Sequence, residues 1–166
     1  IFGQATPSAF GRVRLALTLR RLGKMPNTET IESLNQLLQG EYMAVESFNN
    51  FIFRLEDEDV KHTFKEVQKQ HRENIDKLAS YIQDIGGQPD ENLGMKGKMG
   101  EMKLNMDLGS ETDTDEIIKK AIEGETKGVN MAEKVLRGDL DDRSRDIAGE
   151  ILNKDRNSIE KIKNLL

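Results

Sequence analysis

The sequence predicts an all-α fold: a four-helix bundle in which two antiparallel helix hairpins are joined by a long crossover that contains a short helix. Four long segments carry apolar side chains every three or four residues, which is helical spacing. Aromatic residues make up only 5% of the chain and proline occurs three times, whereas 33% of residues are charged. That balance is typical of helices with large solvated faces. A chain of 166 residues is long enough to bury one hydrophobic core.

The first hairpin is predicted between Thr28 and Gly87. Thr28 or Thr30 can cap a helix that runs to about Asp59. A second helix follows with almost no loop and ends at Gly86-Gly87, a suitable C-terminal cap. A connection this short places the two helices side by side and antiparallel.

The second hairpin follows a long crossover predicted from Gln88 to Asp115. Its first helix begins at an acidic cap around 113–116 and stops at Gly138, and its second helix runs from about Asp141 to Leu166. A crossover this long makes the second and third helices parallel. Within it, four methionines at helical spacing are expected to pack a short helix over the bundle, and the alternative is a thioether site for Cu(I): Met95, Met99, Met102 and Met106.

Composition and charge exclude several classes of protein. Cysteine is absent, which excludes disulfides, thiolate metal sites and cysteine nucleophiles and favours a reducing cytoplasm. No apolar run approaches the roughly 20 residues of a transmembrane helix. The net charge is -5, and because residues 1–28 carry five basic residues and no acid, the remainder carries -10. An acidic body argues against nucleic-acid binding and favours cations as partners.

Residues 1–26 are expected to form a basic N-terminal extension to a domain spanning 27–166. Met25-Pro26 resembles a natural start just ahead of the first helix. The basic, weakly amphipathic stretch from Phe10 to Leu22 suits a helix that docks a protein partner, a membrane-surface anchor or a targeting peptide. The alternative is a leader, or a segment added during cloning.

Each of the four apolar stripes is interrupted near its middle by a polar residue. Glu41 falls between Leu38 and Val45, and the other three helices repeat this pattern. Since a helix rises about 1.5 Å per residue, residues near the middle of each helix should meet in one layer when the helices pack side by side. We call these four residues the polar layer: Glu41, His71, Glu125 and Asp155.

Three buried carboxylates in one layer need a compensating charge, because burial costs several kcal/mol per ion. A divalent metal ion is the simplest compensator, and carboxylate oxygen and imidazole nitrogen suit Fe, Mn or Zn. The metal-free alternative is that Arg72 and Arg156, which adjoin His71 and Asp155, turn inward to form a salt-bridge network, or that the acids are protonated.

An internal repeat relates the two hairpins. Gly40-Glu41 on the first helix recurs as Gly124-Glu125 on the third, with apolar residues ahead of each pair. In that alignment we expect Gln68-x-x-His71 on the second helix to correspond to Asp155-x-x-Ser158 on the fourth. Residues three apart lie on one face of a helix.

Three runs resemble the bacterioferritin and rubrerythrin side of the ferritin-like superfamily: LNQLLQGEYMAVESF, QKQHRENIDKLASYIQDIGGQP and AIEGETKGVNMAEKVL. The resemblance covers about residues 30–166 and implies a ferritin-like four-helix bundle. Those families hold two irons with one Glu on each of two helices and a Glu-x-x-His pair on each of the other two.

By this resemblance, Glu41 and Glu125 match the bridging carboxylates and His71 matches one imidazole. The pattern departs at three positions: Gln68 stands where a Glu is expected, Asp155 replaces the other Glu, and Ser158 replaces the second His. Four good ligand side chains remain instead of six, which indicates a degenerate, uncharacterised branch of the superfamily.

Two functional hypotheses remain open. In the first, the polar layer holds one Fe or Mn ion, or a weak pair, with Gln68 and Ser158 as weaker outer groups. Such a protein would act in metal handling or oxidative stress, and any catalysis would be that of a metal-dependent oxidoreductase with unassigned catalytic residues. In the second, the site is vestigial and the chain is a metal-free structural or interaction bundle, stress- or spore-associated, whose basic extension docks a partner. A homo-oligomer is expected only by analogy.

Overall fold

The computed structural model describes residues 28–91 and 113–166, which form four helices. These are α1 (Thr28–Arg54), α2 (Glu58–Asp84), α3 (Thr114–Leu136) and α4 (Asp142–Lys163). Neither described range contains a strand, and the all-α prediction is confirmed. The predicted N-terminal extension and the methionine stripe of the crossover lie outside the described residues. None of the four described helices is long and apolar enough to cross a membrane.

Aspartates begin three of the helices. Asp57 caps α2, where its carboxylate accepts hydrogen bonds from the backbone N–H groups of Asp59 and Val60, both at 3.0 Å. Asp141 caps α4 by accepting from the Ser144 N–H at 3.1 Å, and Asp113 caps α3. Such caps satisfy N–H groups that have no partner within the helix. Asp57 caps α2 in an extended backbone conformation, which a residue inside a helix cannot have. The first helix, α1, therefore ends at Arg54 and not near Asp59 as the sequence predicted.

The end of α2 fixes where the crossover begins. Gly86 has a φ of +82°, the left-handed region that glycine adopts without strain, and the Gly87 N–H donates to the Ile82 carbonyl at 2.8 Å. The predicted C-terminal cap is therefore present. The chain then turns back along α1, where Asn35 donates to the Gln88 carbonyl at 3.0 Å.

Two apolar clusters fill the bundle, one toward each end. The first combines the end of α1 with the start of α2 and the start of α3, and its Phe48 and Phe64 rings pack edge to face with centroids 5.3 Å apart. The second combines the start of α1 with the end of α2 and the end of α3, around Leu34, Leu78 and Val135. Because α2 and α3 each start in the first cluster and end in the second, they run parallel, as in ferritin-like bundles.

The two hairpins repeat at a constant offset of 84 residues. This offset relates the caps Asp57 and Asp141, which confirms the predicted repeat of Gly40-Glu41 as Gly124-Glu125. The predicted alignment of Gln68 with Asp155 and of His71 with Ser158 is wrong. Each cap follows the glutamate of its hairpin at the same distance, and α2 and α4 continue from these caps without interruption, so the same offset holds along both helices. It pairs His71 with Asp155, Asn74 with Ser158, and Gln68 with Leu152.

Candidate metal centre

The four residues of the polar layer lie together between the two apolar clusters, one on each helix. All are buried, with exposed fractions between 3% and 5%. His71 is at the centre: its Nδ1 lies 2.7 Å from Glu41 Oε2 and its Nε2 lies 3.0 Å from Glu125 Oε1. Asp155 Oδ1 is 3.9 Å from His71 Nδ1. The helical spacing of the sequence predicted this meeting.

His71 carries the positive charge of the layer. A neutral imidazole has one N–H, so a ring with a carboxylate oxygen at each nitrogen donates to both only as imidazolium. Burial alone lowers the pKa of His71, but the charges and hydrogen bonds of Glu125 and Glu41 outweigh burial and hold the pKa well above its usual 6.5.

Asp155 holds its proton at pH values at which an ordinary surface aspartate is ionised. Burial, followed by the negative charge of Glu41, raises the pKa of Asp155 from 3.8 to about 9. Near neutral pH this carboxyl group therefore keeps its proton. Two carboxylates then face one imidazolium, which leaves excess negative charge in the core.

Asn74 also contacts the layer, and sequence reasoning missed it. It is fully buried on α2, and its Nδ2 donates to Glu41 Oε2 at 3.2 Å and to Asp155 Oδ1 at 3.3 Å. The available signal was its position three residues after His71, on the same face of the helix. Asn74 links the side chains of Glu41 and Asp155 to α2 without adding charge.

Gln68 and Ser158, the two weaker candidates, make their hydrogen bonds away from the layer. Gln68 Nε2 donates to the Val45 carbonyl at 2.9 Å and to Asn49 Oδ1 at 2.7 Å. Ser158 accepts from Gln70 Nε2 at 3.1 Å and donates to a backbone carbonyl one turn earlier at 3.2 Å. Neither forms a hydrogen bond with the four residues of the layer in the described part of the chain.

The arginine network considered from the sequence is wrong. Arg72 is exposed on α2, and Arg156 is exposed on α4 and pairs with Glu133 at the surface. Each follows a buried residue by one position, and a step of one rotates a side chain by about 100° around a helix. The counter-charge comes from His71 itself.

Donor atoms of three residues of the layer lie close enough together to fit a single metal ion. Ligand atoms of Glu41, His71 and Asp155 all lie within 4.8 Å of one another. Bonds of about 2.0–2.2 Å to one ion place ligand atoms up to about 4.4 Å apart, so small side-chain rotations would bring the three together. Glu125 Oε2 is buried and has no hydrogen-bond partner among the described residues. Glu125 lies across the ring, at His71 Nε2, and so outside this group of three; carboxylate and imidazole donors suit Fe or Mn.

A cavity of about 50 Å³ reaches the layer from the side, between α1 and α3. All four residues of the polar layer line it. The side chains of the layer are therefore buried but adjoin a cavity between these two helices.

We expect the metal-free protein to lose stability as the pH rises from about 6.5 toward 9. The folded-state pKa values of His71 and Asp155 both lie above their unfolded values, so the folded chain binds more protons than the unfolded chain in this range. The stabilisation is present at low pH and is lost as the pH rises through the folded pKa values. Urea midpoints in EDTA at three pH values measure it.

Asp155→Asn provides the control for this pH series. It removes one titrating group, so its urea midpoint should fall less steeply with pH than that of the unmodified chain. A midpoint that stays constant or rises between pH 6.5 and 9 would contradict the protonation states assigned to the layer.

Comparison with known proteins supports the fold. A family model described as a domain of unknown function (DUF2383) matches residues 29–138. A search of curated proteins found no sequence match. Among solved structures, the bacterioferritin-related protein of Bacteroides fragilis, described as a dodecameric thioferritin, is 16% identical with a TM-score of 0.66, over 85% of this chain and 86% of that one.

Two further solved structures are similar to this chain. A conserved hypothetical protein of Mycobacterium tuberculosis is 16% identical with a TM-score of 0.68, over 85% of this chain and 100% of that one. A structure described as ferritin-like, diiron-carboxylate proteins from Bacillus anthracis is 21% identical with a TM-score of 0.61, over 83% of this chain and 95% of that one. These likenesses confirm the predicted ferritin-like architecture.

Proposed function

The chain belongs to the family described as a domain of unknown function (DUF2383), and on the basis of its ferritin-like fold we propose that it binds one divalent metal ion, Fe or Mn, between its four helices. The proposed ligands are Glu41, His71, Glu125 and Asp155. One observation carries the proposal: two buried carboxyl groups and an imidazole, from three different helices, have ligand atoms within 4.8 Å of one another, and the buried Glu125 lies at the other nitrogen of the same ring.

The charge of the polar layer supports this proposal. With His71 as the only counter-ion among the described residues, the layer keeps excess negative charge, and burial together with the negative charge of Glu41 raises the pKa of Asp155 to about 9. A bound divalent ion would supply the missing positive charge and displace protons from His71 and Asp155, since metal ligands must be deprotonated. The buried Glu125 Oε2 would also gain a partner.

The ligand count favours one ion over a pair. The resemblance to bacterioferritins and rubrerythrins implies six ligand side chains for two irons, and this chain supplies four. Gln68 and Ser158 are engaged by other groups, and we leave them out of the ligand set. Four protein ligands leave open positions on an ion that prefers six, which suits a role in metal handling. The chemistry that such an ion supplies is oxidative.

A metal titration tests the proposal. Protein stripped with chelator and reconstituted with Mn²⁺ should retain about one ion per chain by elemental analysis. At a free metal concentration of 100 times the Kd, binding should stabilise the fold by about 2.7 kcal/mol, and the midpoint of thermal unfolding should rise by about 5–11 °C, since each kcal/mol is worth about 2–4 °C at this chain length. Absence of retained metal after reconstitution would rule the proposal out.

A second candidate function has its own supporting observation. Both ring nitrogens of His71 already face carboxylates, so the layer is largely satisfied without metal and could serve to fix how the helices align. The chain would then be a metal-free structural or interaction bundle, with residues 1–26 docking a partner. In that case Mn²⁺ leaves thermal unfolding unchanged, and Glu41→Leu is neutral or stabilising. Homo-oligomer formation remains a prediction under either function.

A further inference from the structure

The cavity between α1 and α3 has a polar floor and a solvent-facing rim. The lining comes almost entirely from these two helices, and α2 and α4 contribute only His71 and Asp155. The lining residues toward the surface, including Gly40, Ala44 and Gly128, are only partly buried. Within the described residues, the cavity therefore connects the buried polar layer with the outside of the bundle.

The space exists because facing positions of the repeat carry side chains of unequal size. Leu37 and Phe48 on α1 correspond, at the offset of 84, to Ala121 and Ala132 on α3, and all four line the cavity. Gly128 lies between these two alanines, and a Cβ placed on it would meet no atom within 4 Å. The α3 wall leaves room for a molecule beside Glu125.

The floor of the cavity favours positive charge. It carries three carboxyl groups against the single imidazolium of His71, and the buried Glu125 Oε2 has no hydrogen-bond partner among the described residues. Lys127, the one lysine among the described residues that line the cavity, is exposed and pairs with Glu123 at 2.7 Å. That lysine does not neutralise the floor.

The side walls of the cavity are apolar. Leu37, Phe48 and Phe51 are each no more than 3% exposed, and Met43 and Met131 add flexible thioether side chains toward the rim. A metal ion gains nothing from such walls, whereas each methylene group removed from water adds about fourfold in affinity. Aromatic faces also attract organic cations.

We propose that this cavity binds a small organic cation, a short-chain primary ammonium compound. Its charged head lies against the polar layer, where Glu41 and Glu125 supply carboxylate oxygens, and its carbon chain lies between α1 and α3. The volume of about 50 Å³ limits the chain to a few carbon atoms. This inference goes beyond the proposed metal site and does not depend on it, although the two cations would compete for the same carboxylates.

Calorimetric titration of chelator-treated protein tests the ligand class. The probes are methyl-, ethyl-, propyl- and butylammonium, each paired with the alcohol of the same chain length. We expect the ammonium compounds to bind and the alcohols to bind at least tenfold more weakly, with affinity rising about fourfold per methylene until the cavity is full. Absence of ammonium binding, or equal binding of the alcohols, would overturn the proposal.

A matched pair of glycine variants tests the location. Gly128→Leu fills the cavity and should weaken ethylammonium binding at least tenfold. Gly149→Leu is the control, because Gly149 also lies within a helix with open space around its Cβ but does not line the cavity. Equal weakening by both substitutions would place binding elsewhere and sink the proposal.

Thiol labelling tests access without any assumption about affinity. The chain has no cysteine, so Ala132→Cys and Ala148→Cys each carry a single thiol at a site no more than 1% exposed, and only Ala132 lines the cavity. Ala132→Cys should react at least tenfold faster with aminoethyl methanethiosulfonate, a cation, than with the anionic sulfonatoethyl reagent, and faster than Ala148→Cys with either. Equal rates at the two sites would contradict the proposal.

The two cation proposals fail separately. Ammonium binding without Mn²⁺ binding would contradict only the proposal that the chain binds a metal ion. Mn²⁺ binding without ammonium binding would contradict only the proposal that the cavity binds an organic cation. Competition between Mn²⁺ and ethylammonium is expected if both hold.

Discussion

Replacing His71 with leucine should lower the free energy of unfolding of the metal-free protein by about 3–5 kcal/mol at pH 7, the cost expected when one partner of a buried ion pair is removed. The imidazolium lies 2.7 Å from Glu41 and 3.0 Å from Glu125. Without it, two buried carboxylates face each other with no counter-charge. Urea unfolding in EDTA measures the loss.

Gln68→Leu is the matched control for this experiment. Gln68 is also a buried polar residue of α2, and its counterpart in the second hairpin is Leu152, so a leucine suits the position. This substitution removes hydrogen bonds worth about 1 kcal/mol each but no charge. Lowering the pH to about 5 should restore part of the stability of His71→Leu and little of that of Gln68→Leu. If the two variants lose the same stability, His71 is not the counter-ion of the layer.

Glu41→Gln should weaken Mn²⁺ binding by more than about 100-fold, since loss even of a group that only supports a ligand costs 10–100-fold. The substitution keeps the size of the side chain and removes its charge. Glu41 is 5% exposed, so solvent cannot take over its role. Isothermal titration or the thermal shift with Mn²⁺ measures the affinity.

Glu46→Gln is the control, because it makes the same change on the same helix at an exposed position and should leave Mn²⁺ binding unchanged. Glu41→Leu then separates the two functional candidates. In a metal-free bundle it is neutral or stabilising, because it removes excess negative charge while Glu125 keeps the His71 imidazolium paired, whereas in a metal-binding bundle it removes the stabilisation by Mn²⁺. Unchanged Mn²⁺ affinity in both Glu41 variants would eliminate Glu41 as a ligand.

The sequence predicted the four helices and the meeting of the polar layer because both follow from spacing along a helix. Glu41 interrupts the stripe of Leu38 and Val45, and similar interruptions mark His71, Glu125 and Asp155. When every helix contributes one interruption near its middle, packing side by side leaves little freedom about where these residues go. The spacing of apolar residues along each helix is therefore sufficient to predict which four residues form the polar layer.

The charge state of the layer could not be predicted from spacing. Arg72 and Arg156 were plausible counter-ions by position, but only packing shows that both side chains lie outside. His71 became the cation because residues 30 and 54 positions away place carboxylates at its two nitrogens. Such contacts are set by tertiary structure and leave no local signal.

Two further features depended on how facing helices align. Asn74 is a neutral amide, a residue type that is mostly exposed, and its buried role appears only with Glu41 and Asp155 beside it. The cavity likewise depends on which small residue of α3 faces which large residue of α1. An alignment error of three residues, as in the predicted match of Gln68 with Asp155, hides both features.

The offset of 84 residues has a consequence for the charge of the core. Two identical hairpins related by two-fold symmetry would place two Glu41 carboxylates and two His71 imidazoliums in the layer, and these charges would cancel. The chain keeps the glutamate in both halves but puts Asp155 where the second histidine would stand. This single departure from symmetry replaces a charge-balanced core with one that carries excess negative charge, so the net charge of the core is set by the side chain at position 155.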